Sequence, residues 1–205
     1  LYSNTTGNAN SASGFRSLYN NTAGSYNGAF GYYALYANTT GEYNFAAGRV
    51  ALSNNTTGNN NIAMGDEALL SNTTASFGVG LGSEALRSNT TGTANTGLGF
   101  RAGYSTTTGQ YNTSIGYKAL YSNVSGSKNF ALGYEAGYFE TGSNKLYIAN
   151  TRDASGTLVF GDFSTGDMTI GKSSGVISIG NDLYVKGNLY VAGSTSNSAP
   201  GSVGT

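Results

Sequence analysis

No cysteine, histidine or tryptophan occurs among the 205 residues, and there is a single proline. Without cysteine the chain has no disulfides and no thiolate metal sites; without histidine it lacks the common nucleophile triads, imidazole acid–base pairs and histidine zinc sites. Stability must therefore come from packing or association. Charge is scarce too: charged residues are 10% of the chain, ten acids against ten bases. That balance leaves no electrostatic footprint for a polyphosphate backbone, so nucleic acid is excluded as a partner. No apolar run approaches the roughly 20 residues of a membrane-spanning helix, and no signal-peptide pattern opens the chain. Lysine, glutamate, glutamine and leucine are sparse, which disfavours a helical bundle.

What is abundant is Gly, with 32 copies, Tyr, with 16, and Asn, Thr and Ser. These residues are arranged periodically. Taking Gly7 as position 1, the pattern restarts at Gly24, Gly41, Gly58, Ala75, Gly92, Gly109 and Gly126, a step of 17 residues without insertion, and ends at Gly142 after a step of 16. Position 8 is glycine in every copy: Gly14, Gly31, Gly48, Gly65, Gly82, Gly99, Gly116 and Gly133. Position 4 is Asn10, Asn27, Asn44, Asn61, Gly78, Asn95, Asn112 and Asn129. Glycine accepts positive φ, and asparagine tolerates the left-handed region or bonds its own backbone, so both columns read as turns.

Between the turns, positions 5 to 7 alternate, as in Phe45-Ala46-Ala47, Ile62-Ala63-Met64 and Phe130-Ala131-Leu132, which predicts a short strand. Positions 11 and 12 read Ala-Leu in most copies, as at Ala34-Leu35 and Ala119-Leu120, and predict a second strand before a polar Asn-Thr-Thr corner. A unit of this size with two or three inward apolar side chains cannot offset an ordering cost of about 1 to 2 kcal/mol per residue alone. Stacking successive units about 4.8 Å apart solves the problem and makes a rod roughly 38 Å long with like residues in columns. The expected fold is all-β: a parallel β-solenoid or β-roll of 17-residue coils over residues 1–142, then a β-rich shaft over 143–193 and a flexible linker over 194–205.

The columns carry further expectations. Position 10 runs Arg16, Tyr33, Val50, Glu67, Glu84, Arg101, Lys118, Glu135, which sets Glu84 beside Arg101 and Lys118 beside Glu135. It also sets Glu67 against Glu84, tolerable only if the column faces water. Position 13 holds Tyr19, Tyr36, Tyr104, Tyr121 and Tyr138; position 9 holds Phe15, Tyr32, Phe100, Tyr117 and Tyr134. Two aromatic ladders result. They lie outside a thin Ala- and Gly-rich core and call for a second surface, which three chains side by side would supply.

Beyond Ser143 the period stops. Strands are expected at 145–149, 157–160, 167–170 and 176–179, and the repeated Leu-Tyr-Val of Asp182 to Val191 predicts a hairpin or an intertwined shaft. The chain opens mid-pattern at Leu1-Tyr2-Ser3-Asn4-Thr5-Thr6 and closes on a Gly-Ser-Thr-Ser-rich stretch, so it reads as a portion of something longer.

The run Asn61-Ile62-Ala63-Met64-Gly65-Asp66-Glu67-Ala68, echoed at Asn112 to Ala119, resembles the head repeats of trimeric autotransporter adhesins, which are left-handed parallel β-rolls with a shorter coil. The segment from Ser143 to Asn150, with Leu158 to Asp167, is similar to regions that precede the C-terminal intramolecular chaperone of phage tail fibres and related bacterial fibre proteins. In that family the chaperone trimerises the fibre and cleaves itself away. The resemblance implies a homotrimeric, extracellular, non-enzymatic segment on a virion tail or bacterial surface, which spaces a fibre and presents a surface to a cell-surface glycan or protein receptor.

The remaining chemical readings are few. No cofactor or metal is expected. A glycosidase would need paired carboxylates, and Asp66 with Glu67 or Asp162 with Asp167 are the crowded candidates; solvated turn acids explain them as well. Gly97-Leu98-Gly99 is accounted for by the period rather than by a phosphate loop. Sequons at Asn4, Asn38, Asn72, Asn89 and Asn123 fall at the repeating corner, where turn chemistry explains them. Two alternatives to the fibre stay open: an ice-binding solenoid built on Thr39-Thr40, Thr56-Thr57, Thr73-Thr74 and Thr90-Thr91, and a glycan-binding solenoid built on the tyrosines.

Overall fold

The protein is described by a computed structural model covering residues 1–152 and 156–171. The strand expected at 176–179, the hairpin of Asp182 to Val191 and the linker over 194–205 lie outside the described residues.

The repeat is a parallel β-solenoid. Each coil contributes one three-residue strand: β1 (Ser11–Ser13), β2 (Gly28–Phe30), β3 (Phe45–Ala47), β4 (Ile62–Met64), β5 (Val79–Leu81), β6 (Thr96–Leu98), β7 (Thr113–Ile115) and β8 (Phe130–Leu132). All eight stack in parallel and in register, so that Ala46 faces Ala63 and Ala29 as the 17-residue step requires. β9 (Lys145–Ala149) adds to β8 in parallel one residue short of that step, with Ala131 against Tyr147. β10 (Thr157–Asp162) and β11 (Asp167–Ile170) then fold back antiparallel and close the sheet. The strands expected at 145–149, 157–160 and 167–170 are found there, the middle one two residues longer.

Each coil has one strand and not two. The Ala-Leu pair of positions 11 and 12 lies in three chained β-turns, which in the third coil are closed by Ala51 N–H to Gly48 O, Ser53 N–H to Val50 O and Asn55 N–H to Leu52 O at 3.2–3.4 Å. The reason is backbone handedness. Val50 and Leu52 have φ of +50° and +52°, and positions 10 and 12 are left-handed in all eight coils. Each such residue costs about 1–2 kcal/mol. The cost is offset by inter-coil bonds: Val50 N–H donates to Tyr32 O at 2.8 Å, and Leu52 N–H to Ala68 O at 2.9 Å. An apolar pair in a chain of turns cannot be told from a short strand by hydropathy alone.

The core is a narrow stack of small residues and one leucine per coil. Ala29, Ala46, Ala63 and Ala131 point inward from the strands, and the Ala-Leu pairs of the turns close the opposite side; all are fully buried. Strand positions 5 and 7 therefore point outward. Gly103 and Gly137 replace leucine at position 12 in two coils, and there Leu86 and Leu120 of the preceding coils reach across the space that a side chain would fill.

Polar side chains complete the interior. The asparagines of position 4 are not left-handed turn residues: positive φ falls on the residue before them, as at Tyr26, Tyr43, Asn60 and Lys128. Their side chains are buried and bond the neighbouring coil. Asn44 Nδ2 donates to Gly58 O at 2.8 Å, and Asn44 Oδ1 accepts from the Asn61 backbone N–H at 3.0 Å. The asparagines of position 15 form a second column. Asn38, Asn55 and Asn72 each donate from Nδ2 to the Oδ1 of the asparagine one coil before, at 2.7–2.8 Å. Asn38, Asn72, Asn89 and Asn123 are fully buried, which withdraws those four sequons from any modifying enzyme once the rod is folded.

Candidate interaction faces

The glycines of position 8 sit at the corner where the strand enters the turns. Gly14, Gly31, Gly48, Gly65, Gly82, Gly99, Gly116 and Gly133 have φ between +120° and +146°, a region that L side chains rarely adopt. A Cβ on Gly31 or Gly65 would lie 2.5 Å from the carbonyl oxygen of the next glycine in the column. Conformation and space both demand glycine there, and this corner aims the next residue, position 9, away from the core.

Position 9 starts the aromatic surface. Phe100, Tyr117 and Tyr134 stack at 5.5 and 5.3 Å, and Phe15 stacks on Tyr32 at 5.6 Å. Position 13 forms a second, half-buried file, with Tyr19 on Tyr36 at 5.8 Å, Tyr104 on Tyr121 at 5.1 Å and Tyr121 on Tyr138 at 4.8 Å. Position 10 runs between the two files and sends cations over both: Arg101 lies 5.0 Å from the Phe100 centroid and 5.3 Å from that of Tyr104, and Lys118 5.0 Å from that of Tyr117. A third file, absent from the sequence-level expectation, runs along position 3, where Tyr26 and Tyr43 stack at 4.8 Å and Phe77 and Tyr111 are exposed. Its members vary too widely, with Ala9, Asn60 and Lys128 among them, for the column to stand out in the sequence.

Stacking limits what these files can bind. A pyranose needs a free ring face, and within each file the faces lie against one another with interplanar angles of 3–7° in Tyr104–Tyr121–Tyr138. The last ring of that file is covered as well, by the Arg152 guanidinium 4.3 Å from its centroid. What this file turns to solvent is ring edges and hydroxyls.

Both aromatic files of positions 9 and 13 are interrupted in the third to fifth coils by a charged cluster. Arg49 pairs with Asp66 and Glu67 at 2.8 Å, and Arg87 with Glu67 at 2.6 Å. Glu84 pairs with Arg101 at 3.0 Å, as the column predicts. These arginines relieve the Glu67–Glu84 repulsion, Arg49 and Arg87 by holding Glu67 and Arg101 by holding Glu84. The other expected pair is corrected: Glu135 bonds Arg152 at 2.7 Å and not Lys118, because the bidentate guanidinium fork outcompetes a point charge that stands over Tyr117. Arg87 and Arg49 hold the Glu67 carboxyl below the ordinary carboxylate range, and Arg152 does the same for Glu135. A carboxyl depressed on folding gives stability that is complete above its unfolded value of about 4.3 and is lost as pH falls through the folded value. The urea midpoint is therefore expected to be flat from neutrality down to about pH 5 and to fall below about pH 4, and the Glu67→Gln variant to show a shallower fall.

Three of the four candidate carboxylates for glycoside chemistry are held in ion pairs. Asp66 and Glu67 belong to the ion-pair cluster. Asp162 is bonded by Lys145 and Ser164, which push it well below the ordinary range, opposite to what a general acid requires. The threonine pairs do not make a two-file array: Thr39, Thr56, Thr73 and Thr90 donate from Oγ1 to the carbonyl of the next coil at 3.0–3.1 Å, and only Thr40, Thr57, Thr74 and Thr91 are exposed.

The outer face of the sheet is an apolar surface. Positions 5 and 7 place Phe30, Phe45, Ile62, Met64 and Leu132 at 37–46% exposure, with Val79, Leu81, Leu98, Ile115 and Phe130 partly exposed beside them; Ser11, Ser13, Gly28, Ala47, Thr96 and Thr113 fill the rest of the two columns. No charged residue occurs at either position from β1 to β8. The strip is roughly 38 Å long and about 10 Å wide, some 400 Å². At its edges it turns into the exposed aromatic files of positions 3 and 9. Among the described residues no group of three or more metal-ligating side chains occurs, and no helix is long and apolar enough to cross a membrane. No protein-family model matches the chain, and neither a curated protein nor a solved structure is significantly similar to it.

Proposed function

We propose that this chain is a stiff spacer of an extracellular fibre on a virion or bacterial surface, assembled from three parallel copies whose outer sheet faces meet at a common axis. The carrying observation is the uncharged apolar strip of positions 5 and 7. It is as large as the apolar patches that a typical monomer leaves exposed, and its position 7 column is apolar without a break from Phe30 in β2 to Leu132 in β8. The aromatic edges on both sides of it favour a ring over a pair. Two sheets face to face would cover the flat strip and leave the aromatic edges in water. In a three-fold arrangement the strips meet at the axis, and position 9 of one chain, including Phe100, Tyr117 and Tyr134, lies against position 3 of the next. With those edges the area approaches the roughly 800 Å² per partner of a stable interface.

The aromatic files of positions 3 and 9 are the corners of this interface and not its centre, and receptor contacts, where the fibre makes them, belong to the charged cluster and to the far side of the coil. Light scattering is expected to return three times the mass of one chain. Met64→Glu places a charge in the centre of the strip, at a cost of about 3–5 kcal/mol if left buried and unpaired. It is expected to give single chains with unchanged circular dichroism. A monomeric mass for the unaltered protein would sink the proposal.

A further inference from the structure

The position 13 tyrosines form a file that the fibre reading leaves unused. It lies beyond the charged column of position 10, away from the sheet face. Tyr104, Tyr121 and Tyr138 are stacked at 5.1 and 4.8 Å with interplanar angles of 3° and 7°, and all three are partly open to solvent. Tyr2 and Tyr19 repeat the arrangement near the other end at 4.8 Å and 2°. With no tryptophan and no cysteine, the chain has no more easily oxidised side chain to drain an electron hole from tyrosine, and methionine occurs only twice.

The geometry points to oxidative cross-linking of successive coils through this file, as o,o′-dityrosine, when the folded rod meets a haem peroxidase and hydrogen peroxide. Each phenol loses one electron and its proton to give a phenoxyl radical. Two stacked radicals join through ortho carbons in one new C–C bond. The hydrogen on each joined carbon then moves to its phenol oxygen, which restores both rings. The peroxide accepts the two electrons and two protons and leaves as two waters. Neighbouring rings are already in contact, so closing the bond needs only side-chain rotation, and proximity favours the 17-residue pair over every other. Such links would staple the coils along the axis, as disulfides cannot in this chain.

Trypsin separates the three rings, because cleavage after Arg101, Lys118, Lys128 and Lys145 leaves Tyr121 as the sole tyrosine of peptide 119–128. After oxidation of the folded chain, mass spectrometry is expected to find that peptide joined to 102–118 or 129–145 at least about tenfold more often than to peptides of distant coils. In denaturing urea the preference should fall to the excess that a 17-residue loop alone has over longer ones. Tyr121→Phe keeps the ring and its stacking while removing the coupling phenol, and should abolish every link to that peptide. Links distributed alike in folded and unfolded chains, or none in a folded chain under conditions that couple free tyrosine, would overturn the inference. The products are intrachain and are read from peptides, so the outcome does not depend on whether three chains associate.

Discussion

Alanine in place of Gly65 is expected to lower the stability of the rod by about 3–5 kcal/mol, from a strained backbone and a steric clash together. Gly65 has φ +136°, and an added Cβ would meet Gly82 O at 2.5 Å, Gly82 C at 2.6 Å and Ser83 N at 2.9 Å. All three atoms are backbone, so no side chain can swing aside. Relief requires the coils to part, and parting them breaks the bond from Gly82 N–H to Met64 O at 2.8 Å and the strand pairing of β4 with β5 beside it. Gly166 is the control. It too has positive φ, +82°, but nothing lies within 4 Å of its added Cβ. Gly166→Ala then costs only the left-handed term, about 1–2 kcal/mol. The difference between the two urea midpoints isolates the clash. If both variants lose the same stability, the column contributes through φ alone and the coils are not as close as the structure has them.

The parts of this fold that were legible in the sequence are those where one residue type has one physical use. Glycine at position 8 is the only side chain that serves both the φ and the approach of the next coil. The alternation at positions 5 to 7 marks a strand, and Glu84 against Arg101 follows from the step. Other features were hidden because one pattern serves two structures. Ala-Leu reads as a strand, and only the left-handed φ of residues such as Leu52 and Val50 makes it a turn; no local preference of leucine or valine announces that. Alternating apolar residues reveal a strand but not which face is inside. The inner position went to alanine because the coil interior is too narrow for Phe45 or Met64, which are left outside. That inversion is what leaves an apolar strip on the outer face of the sheet.

One irregular coil shows how much the stacking tolerates. Ala75 stands where other coils have glycine at position 1, and the hydrogen bond from Thr74 N–H to Thr90 O is stretched to 3.5 Å, against 3.2 Å for Thr40 N–H to Thr56 O. Asn89 Nδ2 reaches Asn72 Oδ1 at 3.1 Å rather than the 2.7 Å of Asn72 to Asn55. The extra methyl is absorbed by slight lengthening over two coils. At Thr106 the position 15 column breaks, and Glu140 ends it, so Asn123 Oδ1 is buried without a partner. The column is therefore strongest from Asn21 to Asn89.

Within that stretch Asn55→Ala is expected to cost about 3 kcal/mol or more, and the neighbouring Asn54→Ala less than about 0.5 kcal/mol. Asn55 is fully buried; its Nδ2 donates to Asn38 Oδ1 at 2.8 Å and Gly58 O at 3.0 Å, and its Oδ1 accepts from Asn72 Nδ2 at 2.7 Å. Truncation leaves Asn38 Oδ1 buried without its donor, worth about 1–3 kcal/mol, and removes a second bond from Gly58 O and Asn72 Nδ2, which keep Asn44 Nδ2 and Ala75 O, at about 1 kcal/mol each. Asn54 is exposed. Asn55→Asp separates this role from turn formation, since aspartate serves a turn nearly as well as asparagine. In the column it keeps the acceptor, loses both donors and buries a charge with no cation beside it, so it should destabilise at least as much as alanine. The repeats carry the same message: neither asparagine column ever exchanges Asn for Asp, which a turn would allow and an amide ladder does not. Urea midpoints of the three variants decide the matter, and an Asn55→Asp chain as stable as the unaltered one would return these asparagines to the turns.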